Sequence, residues 1–269
     1  KLELTQHSGS FKARGALNSV MSLPEGTTGV VAASGGNHGA ALAWAAVRAG
    51  VAADIFVPAT SPQEKVHRIR GYGATAHVVD GFYPDAFEAA NRWSEGRDVV
   101  GVHAYDQRST VCGASTVGLE IAEQAPEASH VLVACGGGGL YAGTALALRD
   151  RATVLPVEPE RCANLTAAQA AGEPVPIEVG GVAADSLGAQ KIGTYAFETA
   201  AALGTPAVTV GDEQILAARR WLWERCRVLA EPGAATPFAA LLDGTVRVHP
   251  GDTVVVVVSG GNNPAMPES

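Results

Sequence analysis

Lys12 lies where a lysine can act as a nucleophile. The turn-forming residues Ser8-Gly9-Ser10 precede it and predict a helix N-terminus with Ser10 as the cap, and apolar residues then recur at helical spacing from Phe11 to Val20. In the first turn of a helix the positive end of the dipole disfavours an ammonium, so more of the amine is free to attack a carbonyl carbon. The sequence therefore predicts a reactive lysine, against the alternative of a solvated surface lysine.

Four consecutive glycines, Gly136–Gly139, follow the predicted strand 130–134 and open the next predicted helix. Backbone N–H groups at such a turn converge on an anion, and a phosphate group fits there. Residues 137–142 also satisfy the Gly-x-Gly-x-x-Ala form of the dinucleotide fingerprint, with the acidic Glu158 about 20 residues further on. Taken alone, this segment leaves open a phosphate site, an NAD site and a tight turn.

Two Ser-Gly-Gly-Asn turns, Ser34–Asn37 and Ser259–Asn262, each follow a valine-rich predicted strand. The first turn opens a predicted helix, so its N–H groups and the side chains of Ser34, Asn37 and His38 can bind a carboxylate. For each turn the alternative is a purely structural role, and His38 could equally be a capping or packing residue. Together with Lys12, these turns favour a cofactor site over a dinucleotide site, because NAD binding does not require a reactive lysine.

Composition favours chemistry on a small molecule. The 269 residues are 47% hydrophobic and carry a net charge of −8 without a run of Lys or Arg, which argues against a nucleic-acid or anionic-membrane surface. The four cysteines are scattered without a Cys-x-x-Cys pair, so the sequence indicates neither a disulfide framework nor a zinc site and favours a reducing cytoplasm. No apolar run approaches the ~18 residues that a membrane span needs.

Strands and helices alternate along the chain, with short Gly- or Pro-containing turns between them. Predicted strands are 30–33, 53–57, 75–79, 99–102, 130–134, 153–158, 207–210 and 253–258, and predicted helices are 37–49, 62–70, 83–94, 113–124, 140–149, 212–226 and 233–242. This rhythm predicts an α/β fold of two open, doubly wound parallel-sheet lobes, with a cofactor cleft between them at the carboxyl ends of the strands. The polar, Gly/Pro-rich stretch 171–188 predicts irregular backbone near a site.

The heptad around Lys12 resembles the Schiff-base lysine motif of the fold-type II pyridoxal-phosphate enzymes, whose fold is tryptophan synthase beta-like. Further matching segments stand in the family's order and spacing: Ser34–Gly39, Gly136–Leu140, Val157–Pro159, Ala184-Asp185, Glu231–Ala234 and Ser259–Asn262. They run from one end of the chain to the other. The resemblance is greatest to the threonine/serine dehydratase and serine racemase group, because His38 follows Asn37 where cysteine and threonine synthases have Thr.

The resemblance implies a domain organisation and an assembly. It implies a large pyridoxal-phosphate-binding domain of residues 1–28 plus 108–269 and a small inserted α/β domain of residues 29–107. The chain begins at Lys1-Leu2-Glu3-Leu4, which is typical of a strand already under way. Family members carry residues before this point, so we expect an N-terminal segment to be missing. They are also commonly dimers, so we expect a homodimer.

The resemblance also implies the role of each site residue. Lys12 is expected to be catalytic and to hold pyridoxal 5'-phosphate covalently. The remaining expected cofactor-binding residues are Phe11, Asn37, Gly136, Gly137, Gly138, Gly139, Leu140, Glu231 and Ser259. Ser34, Gly35, Asn37 and His38 are expected to bind the substrate carboxylate. The Ser259 hydroxyl is expected to meet the pyridine nitrogen, which a serine cannot hold protonated as an Asp can, so the ring is a weaker electron sink.

A divalent cation is a further expectation, because some family members bind one through a Glu, a backbone carbonyl and an Asp. The matching positions here are Glu158, the carbonyl of Cys162, and Asn164. An uncharged amide in place of a carboxylate weakens a site for a hard cation. Mg²⁺ or another divalent cation is therefore expected to bind weakly.

The implied activity is that of a pyridoxal-phosphate-dependent dehydratase (ammonia-lyase). Such an enzyme converts a β-hydroxy amino acid such as threonine or serine to a 2-oxo acid and ammonia by β-elimination. Within the family, the alternatives are a β-replacement enzyme and an amino-acid racemase, although racemases of this group carry a second acid/base Ser at the position of Gly35. From other classes, the alternatives are an NAD-binding oxidoreductase and a non-catalytic ligand-binding relative.

Overall fold

The computed structural model of the chain describes residues 1–263 and 265, in two compact units. The Lys12 unit consists of Lys12–Gly113. The glycine-loop unit consists of Lys1–Phe11 and Ala114–Ser269. The predicted domain bounds after residues 28 and 107 stay a prediction. Residues 264 and 266–269 of the predicted large domain lie outside the described residues.

The Lys12 unit is a parallel sheet covered by helices on both faces. Its elements are α1 (Lys12–Met21), β1 (Gly29–Ala33), α2 (Asn37–Ala49), β2 (Ala52–Pro58), α3 (Gln63–Gly71), β3 (Thr75–Val79), α4 (Tyr83–Ser94), β4 (Val99–Gly101) and the start of α5 (Arg108–Gln124). The four strands are parallel in the order β3-β2-β1-β4. Val30 and Ala32 of β1 belong to the core with α2, whereas Val31 and Ala33 belong to the core with α4. Because successive side chains alternate between faces, β1 is buried on both.

The glycine-loop unit repeats the same strand arrangement. Its elements after α5 are β5 (His130–Ala134), α6 (Gly139–Leu148), β6 (Thr153–Pro159), α7 (Asn164–Ala171), α8 (Ala184–Leu187), α9 (Thr194–Leu203), β7 (Val208–Val210), α10 (Asp212–Cys226), α11 (Pro232–Leu242) and β8 (Val254–Val256). Its four strands are also parallel, in the order β7-β6-β5-β8. Helices α10 and α11 pack their buried alanines, isoleucine and leucine into the core of this unit.

Helix α1 is fixed to the start of α5 by close backbone packing. The Asn18 side-chain amide donates a hydrogen bond to the Ser109 carbonyl oxygen at 2.7 Å, and the Ser19 and Ser109 hydroxyls lie 2.9 Å apart. A methyl group added at Gly113 would lie 2.5 Å from the Arg14 carbonyl oxygen. Glycine at this position therefore lets the two helices approach, and this packing sets the position of the first residue of α1, Lys12.

The structure confirms the predicted α/β fold with parallel sheets. The structure contains each predicted strand, although the last, β8, is limited to Val254–Val256. The sequence analysis did not predict α7, α8 and α9, which lie within or beside the stretch 171–188 that was expected to be irregular. Within the described residues, none of the helices combines the length and apolar character that crossing a bilayer requires.

Two predictions at the amino end were wrong. Residues 1–4 do not form a regular strand, because Leu2 makes only an isolated parallel bridge to Val258 before a short 3-10 turn, Glu3–Thr5. Ser10 does not cap α1: its backbone is extended and pairs with Gly260, and its buried hydroxyl makes no hydrogen bond with any described residue. Both segments are instead bonded to residues that follow β8, Leu2 to Val258 and Ser10 to Gly260.

We expect Gly113→Ala to lower the free energy of unfolding by about 1–3 kcal/mol, because the added methyl group has no room against α1. Urea denaturation checks this. Gly71→Ala is the matched control, since a methyl group there meets no atom within 4 Å and the residue lies at the end of a helix. Equal unfolding free energies for the two variants would contradict the close packing of α1 against α5.

Candidate active site

The strand order of the Lys12 unit reverses between β1 and β4. Strands β2 and β3 lie on one side of β1, whereas β4 pairs with its other edge. Open parallel sheets bind ligands outside the carboxyl ends of the two strands at such a reversal, because the segments that leave them turn to opposite faces. These two segments are residues 34–38 after β1 and residues 102–107 after β4. This end of the sheet is the candidate site of the Lys12 unit.

Lys12 lies in the first turn of a helix, as the sequence predicts, and is the first residue of α1. Its Nζ donates a hydrogen bond of 2.6 Å to the carbonyl oxygen of Ala104, in the segment that leaves β4. The amine is therefore held at the carboxyl end of the sheet, where the strand order reverses. The structure thus places a primary amine at the position where a parallel sheet binds its ligand.

The predicted carboxylate-binding loop opens α2 at Asn37, as expected. The N-cap Gly36 has no side chain that could cap the helix, and its own N–H donates to the Ser34 hydroxyl at 3.2 Å. The first N–H groups of a helix have no acceptor within the helix, so those at the start of α2 can bind an anion. A side chain at Gly39 would overlap the Ser34 carbonyl, so glycine there permits the tight turn.

His38 is buried and connects this loop to β4. Its Nε2 donates to the Val102 carbonyl oxygen at 2.9 Å, which fixes the tautomer because a carbonyl can only accept. Burial and the positive charge of Lys12 lower the pKa of His38 to about 3, so the ring is neutral at physiological pH. Its Nδ1 is buried without a hydrogen-bond partner among the described residues. The side chain therefore ties the loop to the segment that leaves β4.

Gly35 is packed against Ser61. A Cβ at position 35 would overlap the Ser61 hydroxyl oxygen and lie 3.1 Å from the Val57 side chain. A serine at position 35 would therefore have to displace the Ser61 hydroxyl, which lies in the turn after β2. This packing bears on the racemase alternative, in which position 35 carries a second acid/base group.

The segment after β4 forms a turn that the sequence analysis did not single out. The Gln107 side-chain oxygen accepts the N–H of His103 at 2.8 Å, and His103 Nδ1 accepts the N–H of Asp106 at 2.9 Å. The rings of His103 and Tyr105 meet edge to face, with centroids 4.6 Å apart. Burial lowers the pKa of His103, and the charge of Lys12 adds to this effect. The sequence signal for this turn is residues 103–107, which are mostly polar or aromatic and directly follow a predicted strand.

The glycine loop leaves β5 and opens α6, as predicted, with Gly138 as its N-cap. Gly138 has φ of +86°, and a side chain there would overlap Ala196, so the position requires glycine. A methyl group at Gly136 would lie 2.9 Å from the backbone of Leu187. The first N–H groups of α6, from Gly139 and Leu140 onward, have no intrahelical acceptor and no side-chain cap, which suits a phosphate group.

Ser259 leaves β8, the strand beside β5, so it lies at the reversal of strand order in the glycine-loop unit. The sheet register pairs Leu132 with Val256, three residues before Cys135 and Ser259. Ser259 is buried, and its carbonyl oxygen accepts the N–H of Phe11 at 2.9 Å. The structure thus brings Ser259 and the start of the glycine loop to neighbouring strand ends, and joins Phe11 to the former.

Glu231 is the N-cap residue of α11 and lies against the turn that contains Ser259. Its N–H donates to the Gly260 carbonyl oxygen at 3.1 Å, and its carboxylate accepts the N–H of Asn262 at 3.3 Å. A side chain at Gly260 would overlap the Glu231 carboxylate. Glu231 therefore shapes the Ser259 turn, in addition to starting a helix as expected.

The three predicted metal ligands lie close together where β6 ends and α7 begins. The buried Glu158 carboxylate accepts the N–H groups of Leu165 at 2.6 Å and Thr166 at 2.9 Å, and the Thr166 hydroxyl at 2.8 Å. Burial raises the pKa of Glu158, and these hydrogen bonds oppose the effect. Asn164 donates to the Ala189 carbonyl oxygen at 2.6 Å, while its own Oδ1 is buried without a partner among the described residues. The Cys162 thiol donates to the Gly180 carbonyl oxygen at 3.2 Å.

Comparison with known proteins identifies relatives of the chain along its whole length. Residues 1–260 match the family described as "Pyridoxal-phosphate dependent enzyme". An L-threonine ammonia-lyase of Geobacter sulfurreducens is 36% identical over 267 residues, which is 97% of this chain and 66% of that protein. A putative threonine dehydratase of Sinorhizobium fredii is 38% identical over 269 residues, which is 97% of this chain and 81% of that protein.

The solved structure of maize serine racemase is similar to the fold described above. It superposes with a TM-score of 0.91 at 32% sequence identity, and the match covers 97% of this chain and 82% of the racemase. The chain spans just under two thirds of the length of the Geobacter lyase, 66%. The similarity therefore covers almost the whole of this chain but not the whole of that relative.

We expect acid to destabilise the protein in part through His38. The unfolded chain binds a proton near the ordinary pKa of 6.5, whereas the folded chain does not until about 3, so stability falls as the pH drops from 6.5 towards 3. His38→Gln, whose amide can still donate to Val102, should flatten the plot of unfolding free energy against pH by up to about 1.4 kcal/mol per pH unit. Urea denaturation between pH 7 and pH 4 measures the slope.

The exposed His67 provides the control for this prediction. His67→Gln should follow the wild-type slope, and the half-buried His103, whose pKa is also lowered, should leave some slope in His38→Gln. Identical slopes for wild type and His38→Gln would contradict the assignment of a buried neutral imidazole at position 38.

Proposed function

Because the chain belongs to the pyridoxal-phosphate dependent enzymes, whose fold type II architecture it shares, we propose that it is a lyase that removes ammonia from a β-hydroxy amino acid such as threonine or serine. The observation that carries this proposal is the Lys12 amine, held 2.6 Å from the Ala104 carbonyl oxygen at the carboxyl end of a parallel sheet. The similarity of 97% of this chain to an L-threonine ammonia-lyase and to a putative threonine dehydratase supports it.

The cofactor residues in this proposal are those that the sequence singled out. Lys12 would hold the cofactor covalently, and the glycine loop, with Leu140, would hold its phosphate through N–H groups. Phe11, Asn37, Glu231 and Ser259 would surround the ring. The fit is supported by the side-chain-free turn at Gly136 and Gly138, and by the buried Ser10 hydroxyl that no described residue satisfies. When bound, pyridoxal phosphate supplies a ring that stabilises negative charge at the substrate Cα.

The protein residues then have separate tasks. The N–H groups at the start of α2, flanked by Ser34 and Gly35, would bind the substrate carboxylate and orient the bond from Cα to hydrogen. The Lys12 amine, once displaced by the substrate amine, would take the Cα proton as general base. Loss of the β-hydroxyl and hydrolysis give the 2-oxo acid and ammonia. The neutral Ser259 hydroxyl would leave the pyridine nitrogen without a full positive charge, which favours elimination over transamination.

A divalent cation is a separate part of the proposal. Glu158, the Cys162 carbonyl oxygen and Asn164 would hold Mg²⁺ or a similar ion, and the unpartnered Asn164 Oδ1 supports this set. The Glu158 carboxylate already accepts hydrogen bonds from N–H groups at the start of α7, which argues against its binding a cation as well. Among the described residues there is no cluster of three or more His, Cys, Asp or Glu that could hold a metal. The ion would therefore be weakly bound.

Two expectations of assembly and location also stay proposals. We propose a homodimer by resemblance to the family, which light scattering of the holoenzyme tests. We propose a cytoplasmic protein, consistent with four cysteines that are thiols in the structure. The proposed partner of the site is a small amino-acid substrate.

The racemase alternative receives little support from the packing around Gly35. Racemisation needs a second acid/base group on the opposite face of Cα, position 35 carries no side chain, and a serine there would have to displace the Ser61 hydroxyl. A β-replacement enzyme is the other alternative, which added thiol would reveal. The match to the pyridoxal-phosphate family removes the support for NAD that the glycine pattern alone offered.

We expect Lys12→Ala to lower ammonia release from serine and threonine by about 1,000-fold or more, because the amine is both the cofactor anchor and the base. The same variant should lose the visible absorbance of the bound cofactor. Coupled detection of the 2-oxo acid measures turnover. Lys65→Ala, on the surface of α3, is the control and should retain wild-type turnover and colour. A colourless Lys12→Ala that still turns over would contradict the proposal, and so would a coloured wild type that releases no ammonia.

For the cation, we expect Asn164→Asp to bind Mg²⁺ more tightly than wild type, because it adds a charged oxygen ligand. Without Mg²⁺ the variant should melt at lower temperature than wild type, since it buries a charge and loses the donor to Ala189. Millimolar Mg²⁺ should raise its melting temperature, and EDTA should reverse this, in a thermal unfolding series. If Mg²⁺ shifts neither wild type nor Asn164→Asp, the cation is dropped and the lyase proposal stands.

A further inference from the structure

A cavity of about 350 Å³ lies beside the segment that follows β4 in the Lys12 unit. It is enclosed on one side by β1, including Val31, and on the other by α4, including Ala90. The segment after β4, including His103 and Ala104, forms its end wall. Its volume falls at the lower end of the range for small-molecule sites, about 300–1,000 Å³. The function proposed above assigns nothing to this space.

Two aromatic side chains of α4 line the cavity. The rings of Tyr83 and Phe87, one helical turn apart, stack with centroids 6.2 Å apart and planes at 24°. They are 48% and 43% exposed, although both line a concave site. Aromatic rings left partly exposed on the wall of a cavity favour an apolar, preferably aromatic occupant, because its ring removes apolar surface from water and can stack.

The polar groups at the end wall are engaged by the turn that they form. His103 Nδ1 accepts the N–H groups of Tyr105 and Asp106. The Gln107 side chain accepts the His103 N–H and donates to the Gly101 carbonyl oxygen at 3.4 Å. These atoms hold the turn in shape and so contribute little hydrogen bonding to an occupant. The lining also contains Asp106, Asn91 and Ser94, so the cavity offers a few polar groups beside the two aromatic rings.

The cavity adjoins the reactive amine. Ala104 lines it, and the carbonyl oxygen of the same residue accepts the hydrogen bond from Lys12 Nζ at 2.6 Å. A substrate whose Cα hydrogen faces that amine carries its β-substituent one carbon away. We propose that this cavity takes the β-substituent, and that the preferred substrates are β-hydroxy amino acids with an aromatic ring on Cβ. This inference rests on the lyase activity proposed above.

The test compares 3-phenylserine with serine as substrates of the holoenzyme. We expect kcat/KM for 3-phenylserine to exceed that for serine by about tenfold or more, since a filled apolar pocket discriminates to that extent. Ala90→Leu fills the cavity and should remove this preference while serine turnover persists. Because Ala90 is buried and its replacement could disturb folding, Ser94→Leu is the second filling variant, at a half-buried position on the same wall. Phe87→Ala should lower the preference several-fold.

Phe82→Ala is the matched control, because Phe82 is 69% exposed at the start of the same helix and does not line the cavity. It should leave the ratio of the two kcat/KM values within about twofold of wild type. A wild type that uses serine but not 3-phenylserine overturns the inference. So does an aromatic preference that survives both Ala90→Leu and Ser94→Leu.

A binding measurement separates this inference from the proposed function. Phenylalanine carries the ring but no β-leaving group, so it binds without eliminating, and alanine is its counterpart without the ring. Titration calorimetry of the holoenzyme should show phenylalanine binding about tenfold more tightly than alanine, with the difference lost in Ala90→Leu and Ser94→Leu. If the holoenzyme releases no ammonia from any substrate but shows this difference, the lyase proposal fails and the cavity assignment stands. Equal binding of the two amino acids overturns the cavity assignment.

Discussion

The reversal of strand order in each parallel sheet is the constraint on which the candidate site depends. A parallel strand has its N–H and C=O groups used by its neighbours, so chemistry is left to the segments beyond the strand ends. The strand order reverses between β1 and β4 in one unit and between β5 and β8 in the other, and parallel sheets bind ligands at such reversals. The Ser34–His38 loop and the Ala104 turn occupy the first position, and the glycine loop and Ser259 occupy the second. The same topology thus creates a place for a ligand in both units.

Buried polar side chains in this protein mainly serve the backbone. His38 is used by Val102, Glu158 by the first turn of α7, and His103 by the turn that it begins. Burying such a group without a hydrogen-bond partner costs free energy. Here the hydrogen bonds offset that cost and fix a segment at a strand end. Lys12 Nζ is likewise bonded to a backbone carbonyl, that of Ala104, whereas the first N–H groups of α2 and α6 have no acceptor within their helices. Histidine and glutamate are common catalytic residue types, but in these three cases the side chain stabilises the backbone of a loop or helix start.

The sequence predicted what is local. Alternation of strands and helices, the position of Lys12 in the first turn of a helix and the turns at Ser34 and Gly136 depend on periodicity and on neighbouring residues, and the structure contains all of them. It could not predict that Ser10 pairs with Gly260 instead of capping α1, because that contact joins residues 250 positions apart. The role of His38 was likewise ambiguous, since its partner lies at the end of a strand 64 residues away.

The acid–base groups around Lys12 also suit one reaction better than another. A β-elimination needs a single base on one face of Cα, because the departing hydroxyl carries away the electron pair. A racemisation needs a second group that returns the proton from the opposite face. In the Lys12 unit, His38 is kept neutral by burial, and the space beside Gly35 is filled by Ser61. A serine at position 35 would have to displace the Ser61 hydroxyl, so the packing of the loop after β1 bears on the choice between the two reactions.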